Sequence, residues 1–188
     1  MQLPIIARFV DRLDGRIVHA RIERVTNEAI VAWMRWHYRL EDGDRTWDWS
    51  SIYAESRESA GSVECYAAWT DGELQGLMAL NLQDLGVPKR EVITVDYLAT
   101  NPANRLAGGG LKHVGTALMA VAILRSIELG FGGRIRLEAL SGAETFYLGL
   151  GMAVHSERSF EGNAVYVLGA ESAKELLEQI REKQILKL

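Results

Sequence analysis

The sequence predicts an α+β fold, a mixed and mostly antiparallel sheet with helices on both faces. Two stretches read as hairpins around Asp-Gly turns, Leu13-Asp14-Gly15 and Thr70-Asp71-Gly72. Residues 114–129 are apolar on nearly every side, with Arg125 and Glu128 the only charges, as in a helix buried against a sheet. The elements follow one another as strands, two helices, three strands, helix, strand, helix and strands, an order that layers helices over both sides of one sheet.

Ile5–Val10 and Arg16–Ile22 form the first hairpin. Asn27 is the expected N-cap of a helix that runs to about Leu40, with Ile30, Trp33, Met34 and His37 at helical spacing. A polar loop, residues 41–45, precedes a second helix over about Ser51–Glu58. The second hairpin pairs Val63–Trp69 with Glu73–Leu82. The turn-prone Gly86-Val87-Pro88 follows, and then a strand, Val92–Thr100, that Asn101-Pro102 ends. A glycine loop (Gly108, Gly109, Gly110) opens the apolar helix. Arg134–Leu140 is the next strand, and a short helix carries Tyr147. A last hairpin joins Val154–Phe160 to Ala164–Leu168 over Glu161-Gly162-Asn163. Ser172 and Glu175 have capping-box spacing before a C-terminal helix with Ala173, Leu176, Leu177 and Ile180 on one face.

At 188 residues the chain is expected to form one domain, residues 1–188. Its 48% apolar and 24% charged content is ordinary for a globular protein, and the net charge of −4 argues against nucleic acid or an acidic membrane as main partner. Cys65 is the only cysteine, so no internal disulfide is possible; a reducing, cytoplasmic setting is expected. Leu3–Ala7 is too short for a secretion signal, and no apolar run approaches the roughly 20 residues of a membrane span.

Chemistry concentrates where the Val92–Thr100 strand, the glycine loop and the apolar helix meet. The first N–H groups of a helix lack internal partners and point at whatever lies ahead, which favours an anion. Each bond to a charged oxygen contributes about 1.5–3 kcal/mol, so several amides hold a diphosphate without a cationic side chain. A P-loop fails because Thr116 stands where its lysine belongs, and a dinucleotide fingerprint fails because His113 replaces its third glycine.

A third pattern fits. Lys112, Gly115 and Ala117 occupy the spacing Gln/Arg-x-x-Gly-x-Gly/Ala, with Lys in the first place. Residues 143–152 (AETFYLGLGM) follow as a second signature, Ala-x-x-x-Tyr-x-x-x-Gly-aromatic/Met. Together they resemble the GNAT superfamily of N-acetyltransferases, over about Val63 to Met152. The resemblance implies a GNAT-like fold with an extra N-terminal strand and C-terminal helix. Two departures stand out: Leu140 lies where the family often has Asn, and the loop from Ala103 to Leu111 is longer than usual.

The resemblance further implies that acetyl-CoA is the acyl donor, that no metal is needed, and that an amine is the acceptor. Leu98 and Thr100 would pair with the pantetheine arm, with an N–H of Leu98 or Ala99 facing the thioester oxygen. Main-chain donors of His113, Val114, Gly115, Thr116 and Ala117 would hold the diphosphate, and the His113 side chain would be exposed and incidental. Lys112 meets a phosphate or is a solvated lysine. Tyr147 would protonate the departing thiolate. Asp96, a carboxylate in a sheet, and Glu138, on the next strand, are the candidate bases. Each is alternatively half of a structural ion pair, and proximity leaves room for no dedicated base.

The acceptor pocket of the family is shaped by its first two helices. Here that region holds Trp33, Trp36, Trp47 and Trp49 beside Glu41, Asp42, Asp44 and Asp48. Trp47 and Trp49 are the candidate acceptor walls, since aromatics with carboxylates suit a cationic amine; core packing beside a solvated acidic loop is the plainer alternative. Cys65 reads as a small core residue. The expected activity is transfer of an acetyl group directly to a primary amine of a small molecule or peptide, by a monomer or homodimer. The alternative is a non-catalytic CoA-binding regulatory or interaction module.

Overall fold

The computed structural model describes residues 1–82, 91–105, 109–159 and 162–187. The chain runs β1 (Ile5–Asp11), β2 (Ile17–Arg24), α1 (Asn27–Trp33), α2 (Trp49–Glu58), β3 (Val63–Thr70), β4 (Glu73–Asn81) and β5 (Ile93–Thr100). It continues through β6 (Leu111–Lys112), α3 (Val114–Glu128), β7 (Ile135–Ala139), α4 (Glu144–Gly149), β8 (Ala153–Arg158), β9 (Ala164–Leu168) and α5 (Ala170–Glu182). Short 3-10 turns at Gly43–Thr46 and Pro102–Arg105 lie between these elements.

The nine strands form one sheet in the order β6-β1-β2-β3-β4-β5-β7-β9-β8. Every pairing is antiparallel except β5 with β7. Both faces are covered. Tyr66, Ala68, Met78 and Leu80 pack with α3 and α5 on one side, whereas Cys65, Ala67, Trp69 and Leu77 pack with Ile30, Trp49 and Ile52 on the other. Strands buried on both faces read as continuous apolar runs, which is the pattern of β3 and β4. Gly76 lets α3 come close, because a Cβ there would stand 2.9 Å from side-chain atoms of both Val114 and Leu118. Among the described residues no helix is long and apolar enough to cross a membrane.

Several local expectations change. α1 stops at Trp33 instead of reaching Leu40, and Thr26, not Asn27, precedes its first turn. The amides of Arg35 and Trp36 bond only three residues back, and the Trp36 indole N–H donates to the Leu74 carbonyl at 3.3 Å. Tertiary contact of that tryptophan thus outweighs helical periodicity. α2 starts two residues early, at Trp49, where Asp48 caps it by accepting from the Ser50 amide. α5 begins at Ala170, so Ser172 and Glu175 lie inside it rather than forming a capping box. Leu111–Lys112 is a strand on β1, a pairing with no local sequence signal. Gly86-Val87-Pro88, Gly108 and Glu161 lie outside the described residues.

Candidate active site

β5 and β7 run parallel through only three pairs, ending at Val95 with Leu137. Beyond that point β5 stays with β4 to Thr100, and β7 stays with β9 to Ala139. The two strands therefore part. A register shift on the β4 side marks the same place: Tyr97 pairs with Ala79 and Val95 with Leu80, leaving Asp96 as the extra residue of a bulge. Bulges bend a strand and re-aim its side chains. A cavity of about 630 Å³ lies against this opening.

α3 points its first turn at the cavity. His113 occupies its N-cap position in the left-handed region (φ 72°), and among the described residues no side chain hydrogen-bonds the first turn from there. The first intrahelical bond is donated by the Ala117 amide to the His113 carbonyl, at 2.9 Å. That bond corrects one expectation: the Ala117 N–H is spent within the helix, and its side chain is buried. Val114, Gly115 and Thr116, ahead of that bond, line the cavity with Lys112 and His113. Lys112 is exposed and His113 half-buried, not exposed as expected. Burial lowers the His113 pKa, assisted by the positive charges of Lys183, Lys112 and Arg12.

From β5, Asp96, Leu98 and Thr100 line the cavity, whereas Ala99 faces the core at 1% exposure. The Thr100 carbonyl accepts from Arg105 at 2.6 Å, which occupies one of its two acceptor positions. Asp96 is an exposed carboxylate in the cavity lining. Surrounding protein nevertheless pushes its pKa up to about 6, with the charges of Glu55 and Glu138 adding to the shift. Glu138, one position past the last β5–β7 pair, also lines the cavity.

Tyr147 reaches the same space from α4 at 7% exposure, edge-on to Phe146 with ring centroids 5.1 Å apart. Burial first, then the charge of Asp44, raises its pKa to about 12. The phenol therefore keeps its proton through the neutral range.

The opposite wall differs most from expectation. Trp47 lines the cavity and stands edge-on to Tyr97 at 5.1 Å. Trp49 does not. It is wholly buried behind that ring, and its indole N–H has no hydrogen-bond partner among the described residues. The acidic stretch is solvated only in part: Glu41 and Asp48 are exposed, whereas Asp42 and Asp44 are buried. Asp42 holds Arg39 at 3.0 Å and Asp44 holds Arg105 through two bonds of 2.5 and 2.6 Å. Arg105 carried no sequence signal, because its partner is remote in the chain.

The strand opening, the first turn of α3 and a tyrosine on the following short helix lie in one place, and comparison with solved structures finds the overall fold. The chain has the GNAT acetyltransferase fold. The GNAT domain of PAT from S. lividans aligns over 87% of this chain and 96% of its own, at 16% identity and TM-score 0.62. The AtaT toxin, solved as a variant with the C-terminus of antitoxin AtaR and acetyl-CoA, aligns over 85% and 99%, at 18% identity and TM-score 0.61. The PaiA N-acetyltransferase of Thermoplasma acidophilum, in complex with coenzyme A, aligns over 79% and 97%, at 15% identity and TM-score 0.57. No protein-family model and no curated protein matches the sequence. Relative to the GNAT neighbours the likeness rests on architecture, an α+β mixed sheet with, among the described residues, nine strands and five helices.

Proposed function

We propose that the chain is an acetyl-CoA-dependent N-acetyltransferase that moves an acetyl group directly to a primary amine of a small molecule or peptide. One observation carries the reading: the β5–β7 opening and the uncapped first turn of α3 face one cavity. Unpaired strand edges take an extended partner, and helix amides take an anion. An extended arm ending in a diphosphate satisfies both, and coenzyme A has that form. The bound forms of PaiA and AtaT, with coenzyme A and acetyl-CoA, support the same choice of ligand.

In this reading the amides of Val114, Gly115 and Thr116 hold the diphosphate, and Lys112 adds a peripheral charge. The main chain around Leu98 lines up the arm. When bound, acetyl-CoA supplies an activated acetyl thioester. Asp96, a carboxylate above about pH 6, takes the proton from the incoming ammonium, directly or through water, with Glu138 beside it. A lysine-like amine holds that proton up to about pH 10.4 and attacks only without it. Tyr147 presents its phenol hydrogen to the departing sulfur. Trp47 walls the acceptor side.

Calorimetry with acetyl-CoA and a free-thiol assay across neutral and cationic amines test the proposal. Binding and turnover on at least one amine are expected. Tyr147→Phe should lower kcat by about 10²-fold while leaving acetyl-CoA affinity intact. Binding without turnover on any amine, and no effect of Tyr147→Phe, would favour a non-catalytic CoA-binding module.

A further inference from the structure

Arg105 ends the turn after β5, half-buried, and holds together two parts of the chain that sequence keeps apart. Its Nη1 and Nη2 donate to the two carboxylate oxygens of Asp44 at 2.6 and 2.5 Å. Nη2 also donates to the Thr100 carbonyl at 2.6 Å, and Nη1 lies 3.4 Å from Asp42. Asp42 in turn accepts from the Arg39 amide at 2.8 Å and its guanidinium at 3.0 Å. Two buried carboxylates and two guanidinium groups thus balance in the cavity wall that leads to Trp47.

Stability alone is a poor reason for such a wall, because buried ion pairs often contribute little net over apolar side chains of the same size. What a guanidinium adds is direction, since its planar fork fixes the orientation of each acceptor it binds. Here one acceptor is the last residue of β5 and the other is Asp44, whose charge is felt at Tyr147. The Trp47 amide bonds the Asp44 carbonyl at 3.1 Å, so the aromatic wall is registered on the same carboxylate residue.

We propose that Arg105 is a positioning residue for acetyl transfer, fastening segment 42–47 to the end of β5 so that Asp44 and Trp47 keep fixed positions across the cavity from Tyr147. This rests on the acetyltransferase reading above. The hydrogen bonds of Arg105 reach Asp44, Asp42 and Thr100 but neither Leu98 nor the α3 amides, so its effect is expected on the acceptor side rather than on acetyl-CoA affinity.

Arg105→Lys keeps the positive charge beside both carboxylates but lacks the fork that binds Asp44 and Thr100 together. Its acetyl-CoA dissociation constant should stay within about twofold by calorimetry, and its KM for acetyl-CoA should likewise hold. For the acceptor amine, kcat/KM should fall by roughly tenfold or more, and amide exchange across residues 42–48 should quicken by a similar factor. Should the lysine variant unfold, the paired change Arg105→Gln with Asp44→Asn, which removes both charges together, gives the same readouts. Native acceptor kinetics, or native exchange in 42–48, overturn the positioning role while leaving the acetyltransferase reading in place. An unaltered chain that acetylates no amine takes down both.

Discussion

Two walls of one cavity are made of different material. Along β5 and the first turn of α3 the groups offered are main chain, set out by a bulge, a strand divergence and a helix start. Across from them, the wall of residues 42–47 is side chain, an aromatic ring and buried carboxylates held by Arg39 and Arg105. Main-chain donors come with the secondary structure and tolerate changes of side chain. A side-chain wall depends on each partner separately, and its charges are costly to leave unpaired. The first kind of wall suits an extended, anionic ligand, and the second a partner recognised by particular side-chain contacts.

The comparison breaks at particular residues. The largest effect is expected behind the side-chain wall: Trp49→Ala should cost about 3–5 kcal/mol of stability by denaturant unfolding, because the indole is wholly buried. Trp47→Ala should leave stability much closer to native and raise the acceptor KM instead. Equal stability losses at the two positions would mean that Trp47 is core rather than wall.

At the main-chain wall, Gly115→Glu should weaken acetyl-CoA binding by roughly 100-fold or more in calorimetry, since it sets a carboxylate against the amides meant for phosphate. A Cβ there meets the Phe146 ring at 3.0 Å, and that ring sits at the surface, where it has room to yield. An acid in the first helical turn is itself favourable by about 0.3–1 kcal/mol, so the melting temperature should change little. Unchanged affinity would remove these amides from the binding argument.

Smaller effects sharpen the contrast. Below about pH 6 Asp96 is protonated and accepts nothing, so acceptor kcat/KM should rise with pH through that value, on top of the amine's own titration. Asp96→Asn should erase that limb, and a limb that persists would assign the proton acceptor elsewhere. The smallest change is expected from Lys112→Ala, about two- to threefold in acetyl-CoA affinity, because the lysine is exposed and its charge is screened.

Legibility in the sequence follows the same division. The strand–loop–helix stretch from Val92 to Glu128 could be read locally, since pattern and spacing sit within one continuous segment. The hairpin at Thr70-Asp71-Gly72 was equally plain, and Gly72 does take the positive φ of 82° that such a turn requires. Whether Trp49 is wall or core could not be decided in sequence, because an aromatic near an acidic loop looks the same whether it faces a cavity or a core. The burial of Asp44 was not legible because its cation, Arg105, lies some sixty residues on. The expected capping box at Ser172 gives way to a helix that starts earlier, at Ala170, with Ala173 in the core.

By itself, then, the sequence determined the α+β layering, the hairpins, the buried helix α3 and the tyrosine on the short helix after β7. Those depend on turn chemistry and apolar periodicity, which act between near neighbours in the chain. Only the tertiary structure decided where β5 leaves β7, that Asp96 is the extra residue of a bulge, that the Ala117 amide is spent within α3, and that Arg105 joins Asp44 to Thr100. Each of these turns on register or on a contact between distant segments, and a linear pattern of residues carries no record of either until the chain is packed.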